Sequence, residues 1–381
     1  MKILYIFRSI AVWGGIERIL VDKMNFMAER YDQDVYLLTC DQGTHPITYH
    51  LSDAVYHEDL DVCFYQQYRF HGLRRLIISW NMIRQYRHLL ANRLRKIQPD
   101  IIICTTADRI GTITKLKGNV PLVVESHSVC TRTLNNGRNW FHRKYHRHCF
   151  LRHLSKADMI VALTDGDAKE WRKYHPQVTV IPNFIHPHEL HISDCSSKKA
   201  IFVGRFDYQK RAQDAICIWK KVRERHPDWT LEIYGDGDMN QEVSDLALSV
   251  NGIVIHQPIS QIFHAYQKCS FLISTSLFEP FGLVIPEAMN CGLPVVAFDC
   301  PYGPGDLITD GSDGYLIKDR DFNAFADRIC ELIENPELRK TMSKTALTSS
   351  QRYTAEQMMP LWLQLFSLLL PSVINNLKQA S

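Results

Sequence analysis

Short apolar runs of strand length recur through the first half of the chain, at residues 3–7, 35–38, 101–104, 122–124, 159–162 and 178–181. Most are separated by helical periodicity. Leu73, Leu76, Ile77, Trp80, Ile83, Leu90, Leu94 and Ile97 fall at spacings of three, four and seven, which predicts one apolar stripe along a helix. Strand alternating with helix implies an α/β fold built on a parallel, doubly wound sheet. The rhythm halts at Pro182-Asn183-Phe184 and a polar stretch that ends at residues 193–199, then restarts at 200–203. A domain boundary is expected there, giving an N-terminal unit of residues 1–185 and a second unit of 186–354. The second unit repeats the scheme, with strands at 231–234, 253–255, 271–274 and 295–298 and helices at 322–334 and 336–350. A strongly apolar helical segment at about 355–370 lies within a last piece, 355–381.

Length and composition agree with two cores: 381 residues, 45% of them hydrophobic, exceed what one ordinary core organises. The net charge of +3 is small and lacks the broad basic footprint of a nucleic-acid binder, so no nucleic-acid partner is expected. Eleven cysteines scattered from Cys40 to Cys330, with no Cys-x-x-Cys pair, suit neither a disulfide framework nor a zinc site and point to a reducing, cytoplasmic setting. Arg8 interrupts the apolar start and no small-residue cleavage site follows, which favours a buried first strand over a signal peptide. The longest apolar run, 361–370, falls short of the ~20 residues a membrane helix needs.

The densest chemistry is Glu279-Pro280-Phe281-Gly282-Leu283-Val284-Ile285-Pro286-Glu287, directly after the strand ending at Ser274. In an open α/β sheet, ligands bind beyond the carboxyl ends of strands, and backbone amides opening a following helix attract phosphate. Gly282 allows close approach of a ligand, while Glu279 and Glu287 can accept hydrogen bonds from a hydroxyl-rich molecule. Gly204-Arg205-Phe206-Asp207-Tyr208-Gln209-Lys210 also follows a strand and offers two cations beside a glycine turn. Arg205 as a planar fork and Lys210 as a mobile point charge would neutralise a diphosphate leaving group without a metal. Asp236-Gly237-Asp238 is the nearest approach to a divalent-ion motif and sits in a glycine turn. Gly14-Gly15 lies between the first strand and first helix, where it permits close approach of a ligand or merely a turn; the Gly-x-Gly-x-x-Gly dinucleotide fingerprint is absent. His127, two residues past Glu125 at a strand end, is expected at the interdomain cleft, with a structural role as its alternative.

These motifs resemble those of the large family-4 group of retaining glycosyltransferases of GT-B type, and the resemblance covers essentially the whole chain. It rests on Glu279 and Glu287 followed by Ala288-Met289-Asn290-Cys291-Gly292-Leu293-Pro294, on Gly14-Gly15-Ile16-Glu17-Arg18, on Gly204-Arg205 with Lys210, and on the position of His127. It implies two Rossmann-like domains facing a cleft, the first for the acceptor and the second for the nucleotide sugar, with the last helix crossing back to the first. Arg205 and Lys210 would hold the diphosphate, Glu287 the ribose and Glu279 a sugar hydroxyl. The amides around Phe281, Gly282 and Leu283 would complete the phosphate cradle, the donor sugar would lie beneath Gly14 and Gly15, and His127 would act in catalysis. Anomeric configuration would be retained, with no cofactor beyond the nucleotide-sugar co-substrate. The stretch 299–308 resembles a version found in transferases of bacterial surface polysaccharides, which suggests a UDP-hexose or UDP-N-acetylhexosamine donor and a glycan or lipid-linked acceptor. An epimerase, a phosphorylase or a non-catalytic sugar-nucleotide sensor is the alternative on this fold.

Arg132, Arg138, Arg143, Lys144, Arg147 and Arg152, interleaved with Trp140, Phe141, Tyr145 and Phe150, form an acid-free basic stretch. It reads either as a solvated helix face or as a contact, through Arg143, Lys144 and Arg147, with an anionic membrane surface on its inner face or with a lipid-pyrophosphate acceptor.

Overall fold

The computed structural model describes residues 1–135, 139–185, 192–259 and 261–370. They form two compact units. The first contains the described residues of Met1–Ala162, Ala168–Ile181 and the chain from Met359; the second contains Leu163–Asp167 and those of Pro182–Met358.

In the first unit, seven strands, β1 (Lys2–Ile6), β2 (Asp34–Thr39), β3 (Val55–Asp59), β4 (Ile101–Thr105), β5 (Leu122–Ser126), β6 (Met159–Ala162) and β7 (Val178–Val180), form one parallel sheet in the order β3-β2-β1-β4-β5-β6-β7. In the second, β8 (Lys199–Val203), β9 (Thr230–Tyr234), β10 (Ile253–His256), β11 (Phe271–Ser274), β12 (Val295–Asp299) and β13 (Gly314–Lys318) form another parallel sheet, ordered β10-β9-β8-β11-β12-β13. Helices cover both faces of such sheets, so the central strands are near-continuous apolar runs; every residue of β4 and of β5 is buried. Edge strand β3 escapes the apolar pattern because only Val55 of Val-Tyr-His-Glu-Asp is buried.

The strand order reverses beside the first strand of each sheet. β1 pairs with β2 on one side and β4 on the other, through Ile3↔Val35 and Ile3↔Ile101. β8 likewise sits between β9 and β11. Chains leaving the carboxyl ends of these neighbours diverge, opening a crevice at each switch point. The loops carrying Gly204–Lys210 and Glu279–Gly282 follow β8 and β11, so the sheet order alone makes them neighbours.

The stripe predicted from Leu73 to Ile97 is only half a core stripe. The Gly72–Ile97 helix buries Tyr86, Leu90, Leu94 and Ile97, whereas Leu73, Leu76, Ile77 and Trp80 are 78, 66, 61 and 61% exposed. Twenty-six helical residues extend ~39 Å and a five-residue strand only ~17 Å, so the helix outruns the sheet that could cover it. Leu90→Ala should therefore cost ~2–5 kcal/mol in denaturant unfolding, and Leu76→Ala should stay within ~0.5 kcal/mol. Equal losses would show that the exposed half is covered.

Candidate functional site

Each unit carries its own set of functional side chains. In the second, Gly204 N donates to the Tyr234 carbonyl at 3.0 Å and Phe206 N to the Asp236 carbonyl at 2.9 Å, pressing the turn after β8 onto the turn after β9. The approach is so close that a Cβ at Gly235 would lie 2.0 Å from the Gly204 oxygen. Phe206 is fully buried and anchors the turn from below. Asp207 Oδ1 then accepts from the Gln209 and Lys210 amides, both at 2.9 Å, which closes the loop before the Ala212–Arg225 helix.

This loop is laced to the one after β11. Leu277 N donates to the Gln209 carbonyl at 2.9 Å, Gln209 Nε2 to the Phe278 carbonyl at 3.2 Å, and Thr275 Oγ1 to the Arg211 carbonyl at 2.8 Å. The bracing turns Lys210 inward, where Nζ lies 2.5 Å from Glu279 Oε1. The same oxygen accepts from Ser276 Oγ at 2.7 Å, and Glu279 is only 3% exposed. Its main chain is pinned as well: Glu279 N donates to the Pro301 carbonyl at 2.7 Å, and its carbonyl accepts from Tyr302 N and Gly303 N at 2.9 Å. Arg205 contrasts with Lys210, since its side chain is 68% exposed and pairs with Asp207 at 3.2 Å, its one ion pair among the described residues. One cation is thus buried against its partner and the other is exposed.

The following turn is built for its backbone. Gly282 has φ +89°, a conformation that strains any residue with a side chain. The amides of Phe281, Gly282 and Leu283 donate to no acceptor among the described residues. The Phe281 ring is buried and packs edge-on against Tyr353 at 5.5 Å, so this residue can meet a ligand only through its main chain. Glu287 is buried on the short Val284–Asn290 helix.

In the first unit, Glu125 at the end of β5 is 1% exposed and its carboxylate is bound by the ammonium of Lys23, from the Gly15–Tyr31 helix. The ammonium also lies 4.0 Å from the Trp362 ring centroid and 5.6 Å from that of Tyr5. Burial works against the charge on Glu125, but Lys23 and the hydrogen bond with His127 outweigh it and hold the carboxyl at about 2. His127 Nε2 lies 3.1 Å from Glu125 Oε2. Because an ionised carboxylate only accepts, Nε2 is the donor in this contact, which orients the ring. Sequence reasoning singled out His127 and missed Lys23. The available signal was a lysine amid the apolar positions Ile19, Leu20, Met24 and Met27 of one helix face.

Gly14 precedes that helix in an extended conformation, φ −145°, which any residue adopts. A Cβ there would meet only the mobile end of Glu17. Gly15 is the first helical residue. The backbone conformation at position 14 therefore does not itself require glycine.

The basic stretch resolves unevenly. Arg138 lies outside the described residues. On the Trp140–Leu154 helix, Arg143 and Lys144 are exposed, but Arg147 is half-buried, donates to Tyr174 Oη at 3.0 Å and stacks over the same ring. Of the three residues expected at a surface contact, Arg147 is thus already engaged by Tyr174, unlike the exposed Arg143.

Comparison with known proteins gives this fold its class. The family described as Glycosyltransferase Family 4 matches residues 13–189, and the family described as Glycosyl transferases group 1 matches residues 191–348. Amylovoran biosynthesis glycosyltransferase AmsD of Erwinia amylovora is 30% identical over 218 residues, covering 54% of this chain and 61% of that protein. The lipopolysaccharide 1,6-galactosyltransferase of Escherichia coli is 23% identical over 345 residues, 85% of this chain and 87% of its own length. Across five other curated relatives the matches span between 23 and 68% of the relative's length. Among solved structures, S. aureus TarM in complex with fondaparinux, α-GlcNAc-glycerol and UDP superposes with a TM-score of 0.76 at 17% identity, over 96% of this chain and 99% of that one. The chain belongs to the GT-B glycosyltransferases whose two halves these families describe. Relatives named for amylovoran biosynthesis and for poly(ribitol-phosphate) α-N-acetylglucosaminyl transfer are among the proteins it is similar to.

Removing the Lys23 ammonium while leaving its partner tests the buried pair. Lys23→Met should cost ~3–5 kcal/mol in denaturant unfolding, because Glu125 is left buried without its cation. A loss below ~1 kcal/mol would mean that water reaches the carboxylate.

Proposed function

We propose that the chain transfers a hexosyl or N-acetylhexosaminyl group from a UDP-sugar, with retention, to a glycan or lipid-linked acceptor of a bacterial surface polymer. The observation that carries the reading is the Lys210–Glu279 contact across the β8 and β11 loops, beside the unused amides of Phe281, Gly282 and Leu283. Lys210, with two ammonium donors to spare, and Arg205, swinging in from solvent, bind the donor diphosphate. The buried carboxylate of Glu279 orients a sugar hydroxyl, and Glu287 accepts from the ribose. As the bond from the anomeric carbon to the diphosphate oxygen breaks, the acceptor oxygen bonds to that carbon, and its proton passes to the departing phosphate. Charge grows on the diphosphate, and the two cations stabilise it without a metal. His127, fixed by Glu125, meets the sugar in the reacting complex. The UDP bound by TarM and the galactosyl transfer in the name of the E. coli relative support the donor class.

The acceptor side agrees with an anionic membrane surface. Leu73, Leu76, Ile77 and Trp80 form one exposed apolar face, Arg74, Arg75, Arg84 and Arg87 share the same helix, and residues 62–99 contain no Asp or Glu. Apolar residues flanked by arginines suit the headgroup boundary of an anionic bilayer. No helix among the described residues is long and apolar enough to cross one.

Lys210→Ala and Arg205→Ala should each lower turnover on the order of 10²-fold, and the wild type should keep its rate in EDTA. Near-normal rates in the variants, or loss of activity in EDTA, would remove these cations from the mechanism. His127→Ala should reduce kcat by a larger factor than it weakens UDP binding; matched losses would make it structural. In co-sedimentation with phosphatidylglycerol vesicles, Leu76→Glu with Trp80→Glu should abolish binding, whereas unchanged binding, or a dimer broken by the same pair, would give that face to another partner.

A further inference from the structure

The switch point of the first sheet has a crevice of its own, and none of the residues assigned above to the donor lines it. An open cavity of about 660 Å³ lies there, walled by the loops after β1, β2 and β4 and by the Gly72–Ile97 and Trp140–Leu154 helices. Four cations line it, Arg8, Arg87, Arg109 and Lys115, against two carboxylates, Asp41 and Asp108. Both carboxylates are already engaged. Asp41 accepts from Phe64 N at 2.5 Å and faces Arg8 at 3.6 Å, while Asp108 Oδ2 accepts from Thr105 N at 2.6 Å and Thr105 Oγ1 at 2.9 Å. Arg87, Arg109 and Lys115 have no acidic ion-pair partner among the described residues.

Arg109 is the informative member. It is half-buried, with its guanidinium carbon 3.4 Å from the centroid of the buried Phe64 ring, and burial pulls its pKa below the usual value. Asp41 offsets this only from a distance, and a partly desolvated cation without a close ion pair is costly unless a ligand supplies one. Three unmatched cations exceed what one carboxylate would neutralise. They suit a phosphate monoester, with about two negative charges, or a diphosphate. Tyr65 and Tyr68 border the same cavity and offer apolar surface to whatever the phosphate is attached to.

We infer that this cavity is a second anion site, separate from the loops after β8 and β11, that binds a phosphate monoester or diphosphate carried by the acceptor. The site stands on the first unit alone; its use for the acceptor rests on the transferase reading. The test is calorimetric titration of inorganic pyrophosphate into the full chain saturated with UDP, and into Lys210→Ala. One binding event should persist in both, and Arg109→Gln should weaken it tenfold or more. Arg87→Gln, on an exposed helical position, should do the same without disturbing the fold. Absence of pyrophosphate binding beside UDP, or equal affinity in wild type and both arginine variants, would overturn the site. Failure of UDP to bind, with pyrophosphate binding kept and still sensitive to Arg109→Gln, would overturn the donor reading alone. Geranylgeranyl diphosphate in neutral micelles identifies the source: tighter binding than pyrophosphate marks a lipid-borne phosphate, equal binding a soluble one.

Discussion

Lys210 and Glu279 are 69 residues apart in sequence and 2.5 Å apart at their charged atoms, and the second unit is arranged around keeping them so. The pair exists because β8 and β11 are neighbours at the point where the strand order reverses, so that two loops leave the sheet side by side. The main-chain and side-chain hydrogen bonds from Thr275, Leu277 and Gln209 prevent those loops from parting. A carboxylate as buried as Glu279 is stable in its ionised form only with compensating donors, which here are Lys210 and Ser276. The ammonium is thereby held in place by the fold itself, so little reorganisation of it is left for a ligand to cause.

The first unit solves a related problem differently. Lys23 and Glu125 form an enclosed ion pair, covered by Trp362 from the Ala355–Leu369 helix, and a hydrogen bond links Glu125 to His127. Lys23 is too enclosed to meet a ligand. Its consequence is felt through Glu125, whose charge orients the ring of His127. The imidazole is thus oriented by a residue distant in sequence that itself does no chemistry. A different balance governs the cavity between the Gly72–Ile97 and Trp140–Leu154 helices, where Arg109 is partly desolvated and feels Asp41 only at a distance, with no close ion pair among the described residues.

Much of this was legible in the residues. The parallel sheets were readable because strands buried on both faces must be apolar throughout, as in Ile-Ile-Ile-Cys-Thr of β4. Edge strand β3 was not, since a strand with one covered position carries no such mark. The helical period of Leu73 to Ile97 was correct as a period and misleading about burial, because periodicity reports which residues share a face and not whether anything lies opposite. Arg143, Lys144 and Arg147 looked equivalent in the sequence, yet only Arg147 of the three reaches Tyr174 among the described residues. Lys23 stood in plain view on an apolar face, but its meaning depended on Glu125, 102 residues away.

By itself, then, the sequence determined the alternation of strand and helix, the loops in which glycine, cation and carboxylate follow a strand, and the family whose motifs those loops carry. These are local properties, set by side-chain period, backbone freedom and charge within a few residues. Only the tertiary structure decided which charges meet: Lys210 with Glu279 and Lys23 with Glu125, while Arg109 makes no close ion pair among the described residues. Strand order decides which loops become neighbours, and an ionic contact in a low-dielectric interior depends on distances of a few ångströms that no local pattern encodes.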